Sequence, residues 1–170
     1  GGAASGPAPT TPGDSKAAPT TDGDAASEGA NATDFTLVDV NGNPVSLSQY
    51  LGKGAVLIDF WATWCKPCMA ELPHLQRMYD ARRKDGFVVL AVSMDGPETE
   101  AEVVPTVRML GYTFPVLLDP ETRAKSLYNP RGAAPYSVLI DRHGRVFKRR
   151  EGFNAGDERS LEADVDAAMK

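Results

Sequence analysis

The cysteine pair constrains this chain more than any other feature. Only two cysteines occur among the 170 residues, and they stand together in the segment Cys65-Lys66-Pro67-Cys68. A run at residues 55–60 that is apolar apart from Asp59 ends shortly before the pair, and a segment of helical periodicity comes after it. Two cysteines at this spacing, between a strand and the start of a helix, are typical of a redox motif.

The start of a helix is a favourable place for a reactive thiol. The first cysteine there faces unpaired N–H groups and the positive end of the helix dipole, and both lower its pKa. Lys66 adds a positive charge, and Pro67 suits a first helical turn. We therefore expect Cys65 to attack a disulfide and Cys68, one turn later, to resolve the mixed disulfide.

Three other roles for the two cysteines are weaker. A structural disulfide gains little by closing so small a loop, because it removes little chain entropy. A zinc site needs further ligands, and neither His74 nor His143 stands at ligand spacing. A peroxidase cysteine does not need a second thiol at this position. We expect no metal and no cofactor, with His74 as a helix residue and His143 as a turn residue.

Strands and helices alternate from Asp34 onward, which predicts an α/β fold. Turns are predicted at Asn41-Gly42-Asn43 and Arg142-His143-Gly144. Pro73 and Pro105 should kink their helices, and Asp157 should cap the last one. Strands are predicted at 35–40, Val45, 55–60, 87–92, 116–118, 136–140 and 146–150, and helices at 46–51, 66–83, 98–110, 121–128 and from Asp157 towards Met169.

The first 33 residues differ in composition from the rest. Of these, 27 are Gly, Ala, Pro, Ser or Thr, and apart from proline none is an apolar residue larger than Ala. Such a segment cannot bury enough surface to offset the entropy of ordering it. We predict a flexible linker at 1–33 and one domain at 34–170. The net charge of -5 argues against a nucleic-acid partner, because phosphate binding needs a basic face.

The segment around the cysteines resembles a known family. Residues 59–68, Asp-Phe-Trp-Ala-Thr-Trp-Cys-Lys-Pro-Cys, are similar to the active-site signature of the thioredoxin superfamily. The continuation Met69-Ala70-Glu71-Leu72-Pro73 resembles the TlpA/ResA-like branch of exported thiol–disulfide oxidoreductases, which includes cytochrome c maturation proteins. The resemblance implies a thioredoxin-like fold: a central mixed sheet flanked by helices, with an N-terminal hairpin. The long interval between Cys68 and Pro135 fits the extra strand–helix segment of this branch.

The resemblance also implies a substrate-binding segment. Pro135 aligns with the family's cis-proline, which faces the redox pair and presents the backbone of Ala134 to an extended substrate chain. The alternative is an ordinary proline that leads into a strand. Ala134 and Tyr136 replace the bulky residue and the threonine that commonly flank this proline, which implies a different substrate preference.

Two acids and two tryptophans complete the expected site. Asp59 matches the buried aspartate of thioredoxins, and Glu71 occupies the position that carries an acid in the TlpA/ResA-like branch. Either can exchange a proton with Cys68 if burial raises its pKa, although Glu71 can also be a solvated helix residue. Trp64 is expected to cover the site and contact substrates, with Trp61 packed beneath it.

The resemblance implies an enzyme that reduces disulfides of exported proteins. The candidate substrates are apocytochrome c and a copper-site assembly protein, the electrons would come from a membrane thiol donor, and the protein would act as a monomer. The alternative is a redox-dependent module that binds a metal or a partner without turnover.

The small-residue start, Gly1-Gly2-Ala3-Ala4-Ser5, is similar to the residues that come after the lipidated cysteine of bacterial lipoproteins. We therefore expect a signal segment to have been removed, leaving an extracytoplasmic domain, in the periplasm or on the outer face of the membrane, tethered by its N-terminus. The alternative is a natural flexible terminus behind residues added in cloning.

Overall fold

The computed structural model describes residues 2–3 and 27–170, so most of the predicted linker lies outside the described residues. The strands are β1 Thr36–Asp39, β2 Pro44–Ser46, β3 Val56–Trp61, β4 Val88–Ser93, β5 Val116–Leu118, β6 Tyr136–Ile140 and β7 Val146–Glu151. The α-helices are α1 Lys66–Arg82, α2 Val103–Leu110, α3 Arg123–Tyr128 and α4 Asp157–Ala168. Short 3₁₀ turns lie at Leu47–Gln49, Arg83–Asp85 and Glu100–Glu102.

The seven strands form one mixed sheet in the order β2-β1-β5-β4-β3-β6-β7. Strands β3 and β4 are parallel and buried along their whole length, which explains why their sequences are uninterrupted apolar runs apart from Asp59 and Ser93. The predicted α/β fold with a central mixed sheet is confirmed.

Helices cover both faces of this sheet. Side chains of α1, α2 and α4 pack on one face against Leu57 and Trp61 of β3. On the other face, α3 and the N-terminal hairpin pack against Ile58 and Phe60. Because side chains alternate along a strand, Asp59 belongs to the face that α1 covers.

The predicted hairpin and the inserted segment are both present. Strands β1 and β2 pair antiparallel, and Asp39 accepts hydrogen bonds from the backbone N–H groups of Asn41 and Asn43 in the turn. The inserted strand β5 pairs parallel with β4 and antiparallel with β1. The insertion therefore joins the hairpin to the central strands.

Ordered structure begins before the predicted boundary at Asp34. The N–H groups of Gly29 and Ala32 donate to the carbonyls of Val146 and Gly144, at 2.7 and 2.8 Å. The N–H of Thr33 donates to the Tyr128 hydroxyl at 2.7 Å. The last residues of the predicted linker thus pack on the domain through backbone groups, for which small side chains suffice.

Two helix predictions need correction. Asp157 is the first residue of α4 rather than its cap: Gly156 occupies the cap position, and the Asp157 carboxylate accepts from the N–H of Asn154. Pro105 does not interrupt α2, because it lies in the first turn, where its missing N–H has no intrahelical partner to lose. Pro73 lies inside α1, which continues to Arg82. Among the described residues, no helix has the length and apolar character needed to cross a membrane.

Candidate active site

The cysteine pair lies where β3 leads into α1, as predicted. Cys65 is the N-cap residue of α1, and its sulfur accepts a hydrogen bond from the N–H of Cys68 at 3.3 Å. A disulfide joins the two cysteines, with their Cα atoms 5.3 Å apart. Cys68 is fully buried and Cys65 keeps 4% of its surface exposed, so Cys65 is the more accessible of the two.

Asp59 and Glu71 come together behind this pair. Glu71 is three positions after Cys68 on α1, so the two residues share a helix face. Asp59 is completely buried and Glu71 is 4% exposed, which excludes the solvated-helix alternative for Glu71. Their carboxyl groups are close enough for each to influence the pKa of the other. Two carboxyl oxygens can share a hydrogen bond only when one of them carries a proton.

Burial and proximity control the proton affinity of this acid pair. Burial, with the nearby charge of Glu71 second, raises the pKa of Asp59 well above its ordinary value. Burial also raises the pKa of Glu71, while the contact with Asp59 and the charge of Arg150 act in the opposite direction and Asp157 adds to the rise. Arg150 is itself paired with Asp164. The pair can therefore hold and exchange a proton closer to neutral pH than ordinary carboxyls can.

The predicted substrate-contacting residues lie in two segments, one directly before Cys65 and one directly before β6. Trp64 is 59% exposed directly before Cys65, whereas Trp61 is buried. The Ala134–Pro135 peptide is cis, in agreement with the resemblance. Ala134 packs against the same core cluster that contains both cysteines. Because Phe60 of β3 pairs with Tyr136 of β6, Ala134 lies opposite the end of β3 that leads to Trp64 and Cys65.

Sequence reasoning missed two buried polar residues next to the site. Asp95, shortly after β4, accepts hydrogen bonds from the backbone N–H and the hydroxyl of Thr63. Asn129, directly after α3, bonds both backbone groups of Ala133. Asp95 is marked in the sequence only as a polar residue close behind the apolar strand β4, and Asn129 has no comparable signal, because α3 before it is mostly polar.

His74 lies on the surface of α1 and His143 lies in a turn. The Nδ1 of His74 contacts the guanidinium of Arg77 at 2.6 Å, and its ring lies 5.7 Å from that of Phe153. His143 lies in the turn before β7, where its N–H donates to Asp141. Within residues 2–3 and 27–170, no group of three or more His, Cys, Asp or Glu side chains could hold a metal ion.

A cysteine disulfide at a helix start, next to a cis-proline on this mixed sheet, defines a thiol–disulfide oxidoreductase of thioredoxin-like fold. The sequence profile of the AhpC/TSA family matches residues 29–149, and the chain belongs to this family. Curated relatives place it in the ResA-like branch. It is 38% identical to thiol-disulfide oxidoreductase ResA of Geobacillus kaustophilus, over 72% of this chain and 68% of that one. It is 35% identical to ResA of Bacillus subtilis, over 72% of this chain and 66% of that one.

Solved structures agree with this assignment. A thiol:disulfide interchange protein DsbE from Chlorobium tepidum superposes with a TM-score of 0.77 at 33% identity, covering 85% of this chain and 99% of the other. The exposed lipoprotein thioredoxin of Streptococcus pneumoniae gives a TM-score of 0.65 at 33% identity, covering 79% of this chain and 99% of the other. The predicted superfamily and branch are confirmed.

Proposed function

We propose that the protein reduces disulfide bonds of exported proteins through the Cys65–Cys68 pair. The observation that carries this proposal is the placement of a buried Cys68 on the same helix face as the buried Glu71, whose pKa the nearby Asp59 influences. A thiol in that setting can pass its proton to a carboxylate at the moment when it must become a nucleophile. The more exposed Cys65 is then left to meet the substrate.

The first step is attack by the Cys65 thiolate on a substrate disulfide. A Cys65–substrate bond forms as the substrate S–S bond breaks, and the departing substrate sulfur takes the electron pair and then a proton. The helix N-terminus favours the thiolate, since the N–H of Cys68 points at the Cys65 sulfur. Trp64 and the backbone of Ala134 would hold the substrate chain during this step.

The second step resolves the mixed disulfide. Cys68 gives its proton to the acid pair, and its thiolate attacks the sulfur of Cys65. The Cys65–Cys68 bond forms, the Cys65–substrate bond breaks, and the second substrate sulfur leaves as a thiolate that takes up a proton. The substrate gains two electrons and the enzyme loses two. A thiol donor must then reduce Cys65–Cys68 for the next turnover, and a membrane thiol protein fits this role.

The extracytoplasmic location belongs to the same proposal. One of the structural relatives is an exposed lipoprotein, and its match covers 79% of this chain. We propose that this domain also works outside the cytoplasm, tethered by its N-terminal segment as a monomer. Its candidate substrates are apocytochrome c and a copper-site assembly protein. Fractionation of cells that express the full-length gene tests the location, and recovery in the soluble cytoplasm would contradict it.

Insulin reduction with dithiothreitol tests the reductase activity. The wild-type protein should accelerate the precipitation of the insulin B chain well above the dithiothreitol background. Cys65→Ser should return the rate to that background, because the accessible nucleophile is lost and the remaining thiol, Cys68, is fully buried. His143→Gln is a matched control, since His143 lies in the turn before β7. A wild-type rate equal to background would refute the reductase proposal and favour a binding module that does not turn over.

A further inference from the structure

Asp95 holds the segment that leads into the redox pair through hydrogen bonds. Its carboxylate accepts the backbone N–H of Thr63 at 3.1 Å and also the Thr63 hydroxyl. The hydroxyls of Ser93 and Thr99 donate to the same carboxylate at 2.8 and 2.7 Å. Asp95 is 6% exposed, so these four bonds form largely away from water. Thr63, two positions before Cys65, is thereby hydrogen-bonded to the segment that follows β4.

Asn129 fastens the substrate-binding segment in a similar way. Its amide nitrogen donates to the carbonyl of Ala133 at 2.8 Å, and its amide oxygen accepts the Ala133 N–H at 3.1 Å. Both backbone groups of the residue before Ala134 are therefore held by one side chain. Asn129 is 2% exposed, which makes the arrangement costly to break.

Met94 connects the hydrogen bonds of Asp95 with those of Asn129. Its backbone N–H donates to the carbonyl of Trp61 at 2.8 Å, at the end of β3. Its sulfur accepts from the amide nitrogen of Asn129 at 3.3 Å. The loop formed by Met94 and Asp95 thus contacts the redox segment through Trp61 and Thr63, and it contacts the substrate-binding segment through Asn129.

We infer that Asp95 and Asn129 are positioning residues that set the separation between Cys65 and the backbone of Ala134. The substrate-binding half of this inference rests on the function proposed above, because Ala134 holds substrate only if the protein acts on polypeptides. A shift of the attacking sulfur or of the substrate strand by about 1 Å can cost on the order of 100-fold in rate. A bridge between the two segments limits such shifts.

Substitutions of Asn129 and Asp95 should have different kinetic effects. Asn129→Ala frees the segment before Ala134, so its effect should fall mainly on the KM for insulin, which should rise about tenfold. The loss with a small disulfide such as dithiobis-nitrobenzoate should be several-fold smaller, because that probe needs no backbone contact. Asp95→Asn should instead slow both reactions and move the pH midpoint of Cys65 alkylation by iodoacetamide.

Two further variants separate positioning from simple loss of stability. Thr63→Val removes only the hydroxyl bond to Asp95, and Thr63→Ser restores a hydroxyl, so the first should move the alkylation midpoint and the second should return it. Asp119→Asn is the matched control. Asp119 is also a buried carboxylate that accepts two backbone N–H groups, but these belong to Arg123 and Lys125 of α3. It should lower the melting temperature without moving the midpoint or KM.

The outcomes distinguish this inference from the reductase proposal. If Asp95→Asn, Asn129→Ala and Thr63→Val change only the melting temperature, as Asp119→Asn does, the positioning roles are refuted. If the wild-type protein fails to reduce insulin, the reductase proposal fails instead. The alkylation midpoints of Thr63→Val and Thr63→Ser then still decide the role of Asp95, because they need no protein substrate.

Discussion

The carboxyl group of Glu71 is close enough to that of Asp59 to raise its pKa, and neither oxygen of Asp59 accepts a hydrogen bond from an N–H or O–H donor among the described residues. Two negative charges cannot be buried in contact without a large cost, so the pair retains a proton to higher pH than an isolated carboxyl does. Such groups titrate together, and the proton belongs to the pair rather than to one residue. Cys68 must lose its proton before it can resolve a mixed disulfide, and the acid pair is placed to accept that proton.

Asp59→Asn should stabilise the oxidised protein at neutral pH. Because burial and Glu71 raise the pKa of Asp59 in the folded state, the folded protein binds this proton more tightly than the unfolded chain does. The stability that results is present below the ordinary pKa of aspartate, about 4, and is lost as pH rises through the folded-state pKa. The variant avoids this loss and should gain on the order of 1–3 kcal/mol near pH 7.

Urea unfolding between pH 3 and pH 8 measures this effect. The free energy of unfolding of the wild type should fall towards neutral pH relative to that of Asp59→Asn. Glu98→Gln is the control, since Glu98 is exposed and its removal should leave the pH dependence of the wild type unchanged. Identical pH dependence in the wild type and Asp59→Asn would show that Asp59 is not protonated at unusually high pH.

The two acids should act as one unit in catalysis. Asp59→Asn and Glu71→Gln each remove one acceptor of the Cys68 proton, so each should slow single-turnover disulfide reduction on the order of tenfold at neutral pH. The double variant should be little slower than the worse single variant, because residues of one unit have non-additive effects. Multiplicative losses, or pH–rate profiles that none of the three variants changes, would contradict a shared role.

The sequence predicted the elements around this site because local signals determine them. The apolar run of β3, the cysteine pair and the periodicity of α1 all lie within one continuous segment, and the structure agrees with them. The contact between Asp59 and Glu71 is different in kind. The sequence presented them as separate candidates, and only the packing of α1 on β3 joins the two carboxyls.

Tertiary hydrogen bonds explain most of what the sequence could not predict. The bond between Thr63 and Asp95 joins residues that are 32 positions apart, and no periodic pattern marks either one. The early start of the domain depends on backbone groups of Gly29 and Ala32, which carry no side-chain signature. Asp157 has the residue type of a helix cap, but the chain before it places Gly156 in that position.

The reduction potential should lie at about -200 to -280 mV, in the thioredoxin-to-glutaredoxin range. A strongly oxidising enzyme needs extra stabilisation of its thiolate, and within the described part of the chain the Cys65 sulfur accepts one backbone N–H, that of Cys68. Lys66 is exposed, so water screens its charge, and Lys66→Gln should shift the potential by less than roughly 30 mV. Equilibration in glutathione buffers, followed by thiol alkylation, measures both values. A potential near about -120 mV, as in DsbA, would contradict the reductase proposal.

Trp64 should contribute to substrate binding and little to stability. Its side chain is 59% exposed, so Trp64→Ala should raise the KM for insulin several-fold while the free energy of unfolding changes by less than about 0.5 kcal/mol. Trp61 is the internal comparison. It is 1% exposed, and Trp61→Ala should cost about 3–5 kcal/mol of stability. An unchanged KM in Trp64→Ala would remove Trp64 from the substrate-binding surface.

Cys68→Ser should trap the substrate on Cys65. Because Cys65 is the cysteine with exposed surface and Cys68 has none, attack on a substrate starts at Cys65. Without the Cys68 thiol the mixed disulfide has no internal nucleophile to resolve it, so it should persist. Expression of this variant in the native organism, followed by non-reducing electrophoresis and mass spectrometry, identifies the trapped partner and tests apocytochrome c directly. Cys65→Ser should trap nothing, and adducts on Cys68 in that variant would reverse the assigned roles.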